Sequence, residues 1–196
     1  MNMTIGITGG IASGKSFVCS QLKQMGYPLI DCDQINKELQ QIGEPIYNEI
    51  VKCFGDSYLN DDKTINRTKL GKLIFGNKEE RIKLNKIAHP LIVEEMEKRI
   101  SKYDGIVFVE IPLLFETKLE YLCDKIICVF VDELTQINRL MKRDGIEYEY
   151  TINKIKSQMP IEYKKEKSDY LIDSSLGFEE TKKQIDVIID LLKEAV

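Results

Sequence analysis

The sequence predicts an α/β protein: a parallel five-stranded sheet covered by helices on both faces. Three observations predict it. Short apolar runs alternate with helical patterns along most of the chain, a glycine-rich turn joins the first run to the first helix, and one long helical stretch interrupts the alternation after the second run. The 196 residues suit a single domain with decorations, long enough to bury a proper core.

Residues 3 to 8, MTIGIT, are apolar and β-branched and stop at Gly9-Gly10, which predicts a strand buried on both faces and ending in a tight turn. From Lys15, the residues Val18, Leu22 and Met25 recur at helical spacing, and Gly26 stands where a C-terminal capping glycine belongs. PLID at 28 to 31, IVFVEI at 106 to 111 and KIICVFV at 125 to 131 read as buried strands, with YLID at 170 to 173 as a shorter fifth. Helices are predicted over 133 to 143 and from Glu179 onward, where Ile185, Ile188, Ile189 and Leu192 share a face. Strands separated by helices imply parallel pairing. Residues 34 to 100 are mostly helical in pattern, broken by GEP at 43 to 45 and NDDKT at 60 to 64. That is too long for one crossover and reads as a helical insertion, where an α/β enzyme can build a second substrate pocket.

Composition narrows the function classes. A net charge of −4 gives no global electrostatic reason to bind nucleic acid. Cysteines at 19, 32, 53, 123 and 128 form no CxxC pair and no cluster with the only histidine, His89, so neither a zinc site nor a disulfide framework is indicated. The N-terminal MNMTIGI lacks the basic region and apolar run of a signal peptide, and no run of about 18 apolar residues offers a membrane span. The expectation is a cytoplasmic protein with free thiols, without a membrane or nucleic-acid partner and with no obligatory protein partner evident.

GITGGIASGKS at 6 to 16 matches G-x-x-x-x-G-K-[ST], with Gly9, Gly14, Lys15 and Ser16 in place and Gly10, Ile11, Ala12 and Ser13 between them. A strand before and a helix after favour a phosphate loop over a plain turn carrying an exposed lysine. Successive backbone N–H groups would point at phosphate oxygens, with the helix end adding its positive dipole. Lys15 would reach the β- and γ-phosphates and Ser16 would offer its hydroxyl to Mg²⁺. The loop alone does not say where the phosphoryl group goes, since switches, motors and kinases share it.

Other residues bear on that question. Asp31-Cys32-Asp33 closes the second strand, where alternation would place both carboxylates on one side. A carboxylate there suits proton abstraction from a hydroxyl or outer-sphere metal binding, and Asp33 equally suits capping of a helix beginning near Gln34. Arg139 and Arg143 stand four apart on a predicted helix, a spacing that fits a phosphate clamp or a solvated basic face. His89-Pro90 ends a helical run containing Arg81 and Leu84, and a lone histidine is more often a surface or capping residue than a catalyst. Glu110 precedes IPLLFE, whose apolar centre fits either core or a pocket wall.

Taken in order, GITGGIASGKS, DCD at 31 to 33, FG at 54 and 55, RIKLNKIAHPLI at 81 to 92, EIPLLFE at 110 to 116, QINRLMKRDG at 136 to 145 and QMPIEYKKEKSDYLID at 158 to 173 resemble the dephospho-CoA kinase family over nearly the whole chain. The resemblance implies a three-layer P-loop NTPase fold of the nucleoside/nucleotide-kinase type, with a helical acceptor-binding insertion at 34 to 100 and a lid at about 139 to 165. It implies transfer of the γ-phosphoryl group of ATP to the ribose 3′-hydroxyl of dephospho-CoA, with Mg²⁺, in the last step of coenzyme A synthesis. Gly9 through Ser16 match the ATP loop, Asp33 the acid that activates the acceptor, with Asp31 beside it, and Arg139 and Arg143 the lid arginines. Lys15, Asp33, Arg139 and Arg143 are thereby the expected catalytic residues. Thr8, Asp31, Arg81, His89, Pro90, Leu113, Leu114 and Phe115 are expected on the acceptor side.

Four positions depart from the family pattern. Ala12 stands where glycine is frequent, which is unstrained only with negative φ. Glu110 replaces a common aspartate, Ser174 stands where IDN is usual, and Ile161 and Tyr163 lie where some relatives carry arginine. Among rival readings, a GTPase would need an NKxD motif, and Asn77-Lys78 is followed by Glu79-Glu80. Another small P-loop kinase shares the loop but not the segments at 81 to 92 and 110 to 116.

Overall fold

The computed structural model describes residues 2–195. The chain divides into two compact units, one formed by 1–30 with 100–196 and the other by 31–99.

The first unit is built on a five-stranded sheet in the order β2-β3-β1-β4-β5, with β1 at Asn2–Gly9, β2 at Leu29–Asp31, β3 at Gly105–Glu110, β4 at Lys125–Phe130 and β5 at Tyr170–Asp173. β1 runs parallel to β3, with Ile5 opposite Phe108, and parallel to β4, with Ile7 opposite Ile127, while β4 runs parallel to β5. Alternation sends Ile5, Ile7, Phe108, Ile127, Val129 and Ile172 into one core with Val18 and Leu22 of helix α1 (Lys15–Gln24). Ile185, Ile188, Ile189 and Leu192 of α9 (Phe178–Glu194) complete that core, so the stripe expected on the C-terminal helix is buried. On the opposite face Gly6 meets Leu114 and Cys123, and Thr8 donates to the Pro112 carbonyl, 3.2 Å. α6 (Glu133–Asp144), α7 (Tyr148–Lys156) and α8 (Ile161–Glu166) follow β4.

One side chain and one helix boundary differ from the sequence reading, while Gly26 caps α1 as expected. Met25 is not on the buried face: α1 ends at Gln24, and Gly26 with φ 88 lets the Tyr27 N–H return to Leu22 O, 3.1 Å, leaving Met25 42% exposed.

The second unit is helical, with α2 (Cys32–Leu39), α3 (Pro45–Phe54), α4 (Arg67–Gly76) and most of α5 (Lys78–Ile100). Here lies the second difference. His89-Pro90 does not end a helix, because α5 carries Pro90 inside it and runs on to Ile100. Proline removes one backbone donor, but Met96 beyond it is fully buried, and that anchor lets packing win over the local break.

Candidate active site

The phosphate loop curls between β1 and α1 because its glycines occupy space no side chain could share. Gly9 has φ 149, and a Cβ there would run into the Val129 carbonyl oxygen. Gly14, with φ 92, caps α1 without any side-chain hydrogen bond, and no acidic residue stands in the first turn. The first loop amide to enter the helical ladder is that of Phe17, bonded to Gly14 O at 3.0 Å, so the Lys15 and Ser16 amides precede it at the positive helix end. Ala12 has φ 56, so the strain expected of a residue other than glycine is present.

Lys15 folds along the loop and donates to Gly10 O at 2.8 Å and Gly9 O at 3.3 Å. Burial pushes its pKa down to about 8; Glu110 at the end of β3 counteracts part of that, and the Lys164 ammonium adds to it. Ser16 is exposed, and its hydroxyl is the hard oxygen donor a Mg²⁺ ion takes when most of its remaining ligands are phosphate and water. The loop backbone and this hydroxyl therefore fit a magnesium-bound polyphosphate.

Residues given no role by the sequence, joined by Arg139 and Ser174, hold the loop in shape. Gln136 donates to Ile11 O at 2.8 Å, and the Ile11 N–H donates to Gln158 at 2.9 Å, so one peptide segment is gripped from both sides. Ser174 donates its hydroxyl to Ser13 O at 2.7 Å and accepts from Arg139 Nη1 at 2.8 Å, while Arg139 Nη2 reaches Ser174 O at 2.9 Å. The departure at Ser174 thus serves as a hydroxyl relay between Arg139 and the loop. Lys164 is fully buried, 2.7 Å from Glu116, which also accepts the Met159 N–H at 3.0 Å. Glutamines and a lysine in amphipathic stretches carry no sequence signal that separates these contacts from ordinary helix surface.

The two arginines are not brought together. Arg139 lies against the loop, with Nη1 3.7 Å from where a Cβ on Gly14 would be. Arg143, one turn on, pairs with Asp144 at 2.7 Å, and Asp144 also takes Lys154 of α7 at 2.8 Å. Arg143 and then Lys154 hold the Asp144 carboxyl down to about 2.

In the second unit Asp31 and Asp33 do not continue a strand side by side. The strand stops at Asp31, whose carboxylate accepts the Gln34 N–H at 3.0 Å and caps α2. The cap expected of Asp33 is therefore made by Asp31, and Asp33 sits exposed in the first turn. Between them the Cys32 thiol is pushed up to about 12 by burial, then by Asp33 and Asp31, so it stays protonated and unreactive. On α5, Arg81 and Pro90 are exposed and His89 is half-buried. Of the apolar segment in the first unit, Leu113 is 42% exposed, whereas Leu114 is fully buried beneath β1 and is a core residue. Phe115 is buried with its ring edge-on to Tyr163, and Thr8 is buried as well.

The sequence model for dephospho-CoA kinase matches residues 3–180. The chain belongs to the dephospho-CoA kinase family. It is 42% identical over 195 residues to dephospho-CoA kinase of Halalkalibacterium halodurans, covering 97% of this chain and 96% of that one. It is 44% identical over 193 residues to the Bacillus cereus enzyme, covering 96% of each. Among solved structures, dephospho-CoA kinase from Campylobacter jejuni superposes with TM-score 0.74 at 29% identity over the whole of both chains. TT1252 from Thermus thermophilus superposes with TM-score 0.85 at 26% identity, covering 97% of this chain and 98% of that one. Shikimate kinase from Acinetobacter baumannii shares the fold at TM-score 0.54 and 16% identity, covering 100% of this chain and 95% of that one. A three-layer α/β kinase fold with a P-loop is therefore common to this dephospho-CoA kinase family member and to kinases of other acceptors.

Proposed function

We infer that the protein transfers the γ-phosphoryl group of ATP to the ribose 3′-hydroxyl of dephospho-CoA, giving coenzyme A and ADP in the last step of coenzyme A synthesis. The observation that carries this reading is the family match across nearly the whole chain, acceptor segments included. The reacting molecules are small, and among the described residues no helix is long and apolar enough to cross a membrane.

The chemistry asks for alignment and for positive charge around the moving group. The acceptor oxygen attacks the γ-phosphorus, the bond to the β-phosphate oxygen breaks, and Asp33 takes the hydroxyl proton. Lys15 balances charge on the β- and γ-phosphates, and Arg139, steered by Ser174 beside Gly14, adds to it. Ser16 would hold Mg²⁺, which supplies charge neutralisation on the phosphate oxygens when bound. Arg143 joins this set if α6 and α7 rearrange and Asp144 releases it.

Lid closure would keep water from the γ-phosphate. Residues 158 to 164 are fastened by Gln158 to the loop and by Met159 and Lys164 to Glu116, so we place the moving part before them, in α7 and its hinge at Gly145. The deciding experiment measures ADP from Mg-ATP with and without dephospho-CoA and weighs the acceptor product. Acceptor-dependent ADP and a product heavier by one phosphoryl group are expected. ADP formation independent of the acceptor discards this substrate.

A further inference from the structure

The helical unit contains a cavity of about 530 Å³ lined by Lys37, Gln40, Gln41, Thr64 and Arg67, with Ile42 and Ile65 as its apolar part. Two cations and no carboxylate line it. Elsewhere on this acidic chain exposed lysines repeatedly pair with neighbouring acids, as in Lys52–Glu49, Lys98–Glu95 and Lys183–Glu180. Among the described residues the side chains of Lys37 and Arg67 make no hydrogen bond or ion pair, although they open onto the same space. Two unpaired cations facing one cavity repel each other, and an anion between them removes that cost.

The wall is already built. Asn60 N–H donates to Thr64 O at 2.8 Å, Leu59 bridges Ile65, and Asn66 caps α4 through the Lys69 N–H at 2.9 Å, which sets Arg67 as the first residue of that helix. The Asp62 carboxylate is taken up by the Thr64 N–H and hydroxyl, so it does not compete for either cation.

Register identifies the anion. Lys37 follows Asp33 by four residues on α2, one turn along the same face and about 6 Å further on. In the acceptor one ribose carries both the 3′-hydroxyl and, through its 5′-carbon, the diphosphate, and the two are separated by a few bonds. We propose that Lys37 and Arg67, with the side-chain amide of Gln41, bind the diphosphate of the acceptor, so that a ribose held there presents its 3′-hydroxyl to Asp33. This assignment rests on the activity inferred above and adds to it the residues that recognise the acceptor's charge.

The test compares Lys37→Gln and Arg67→Gln, singly and together, with Lys37→Arg and Arg67→Lys. Each uncharged variant is expected to raise the KM for dephospho-CoA about tenfold and the pair about 100-fold, as for lost charge-assisted hydrogen bonds. The KM for ATP and the urea midpoint should stay at the wild-type value, and the charge-conserving variants should recover most of the loss. Added salt should raise the wild-type acceptor KM more steeply than that of the double variant. An acceptor KM within twofold of wild type in the double variant, or a loss confined to kcat or to ATP, overturns the diphosphate site and leaves the activity standing. Wild-type protein that makes no phosphorylated product from dephospho-CoA overturns the activity itself.

Discussion

Two strand-to-helix junctions in this protein solve the same problem in opposite ways. Between β1 and α1 the chain spends five residues, Gly10 to Gly14, and leaves the helix end without a side-chain cap or an acid in its first turn. Between β2 and α2 there is no loop at all, and the chain's own Asp31 carboxylate occupies the helix end, with Asp33 next to it in the first turn. Both ends carry the same partial positive charge. One end carries no acid of its own, while the other is closed by the Asp31 carboxylate, with Asp33 exposed beside it.

The largest expected effect breaks the open junction. Lys15→Ala should lower kcat/KM for ATP by about 10³-fold, since it removes the main charge facing the phosphates. Its stability should not fall. The folded Lys15 pKa of about 8 lies below the unfolded value of 10.5, so between these pH values the unfolded chain binds more proton and wild-type stability rises with pH. Below pH 8 the wild type carries a desolvation cost on this half-buried ammonium, offset in part by its bonds to Gly9 O and Gly10 O, and the variant lacks both. In free wild-type enzyme kcat/KM for ATP should decline above pH 8 as the ammonium deprotonates, and a flat profile to pH 10 would show that Lys15 keeps its proton.

The next test separates the two carboxylates of the closed junction. Asp33→Asn should cost about 10²-fold or more in kcat with the ATP KM nearly unchanged, as for a lost general base. Asp31→Ala should instead cost about 1 kcal/mol of stability, the usual value of a helix cap, visible as a lower urea midpoint. If Asp31→Ala loses the chemistry and Asp33→Asn keeps it, the division between cap and base is reversed.

Smaller effects sharpen the account of the loop. Gln158→Ala should raise the KM for ATP about tenfold, as for one buried hydrogen bond whose loss frees the Ile11 amide. An unchanged KM would mean that Gln136 alone sets that peptide. Ala12→Gly should raise stability by about 1 kcal/mol by relieving the left-handed conformation, against the opposing gain in unfolded-chain entropy. A lower urea midpoint in that variant would show the entropy term to be the larger.

Much of the sheet and the loop was legible because short-range chemistry decides them. YLID at 170 to 173 matches β5 residue for residue, and the strand, glycines, lysine and serine of the phosphate loop are contiguous. The readings that failed depended on competition between local and distant terms. Pro90 looked like a terminator until buried Met96 carried α5 past it, and DCD looked like alternating strand until α2 began at Cys32. For Leu114, where core and pocket wall were both open, the structure shows a fully buried side chain against the backbone of β1.

By itself the sequence determined the strands and the phosphate-binding turn, which rest on residue types at fixed short spacings, and the family, which rests on the order of several such segments along the chain. Tertiary structure alone decided which of two arginines four apart reaches the loop, and that Gln136, Gln158 and Ser174 hold the loop in place. Those contacts join residues 35 to 161 positions apart, and a hydrogen bond between such residues leaves no periodic trace in the chain that makes it.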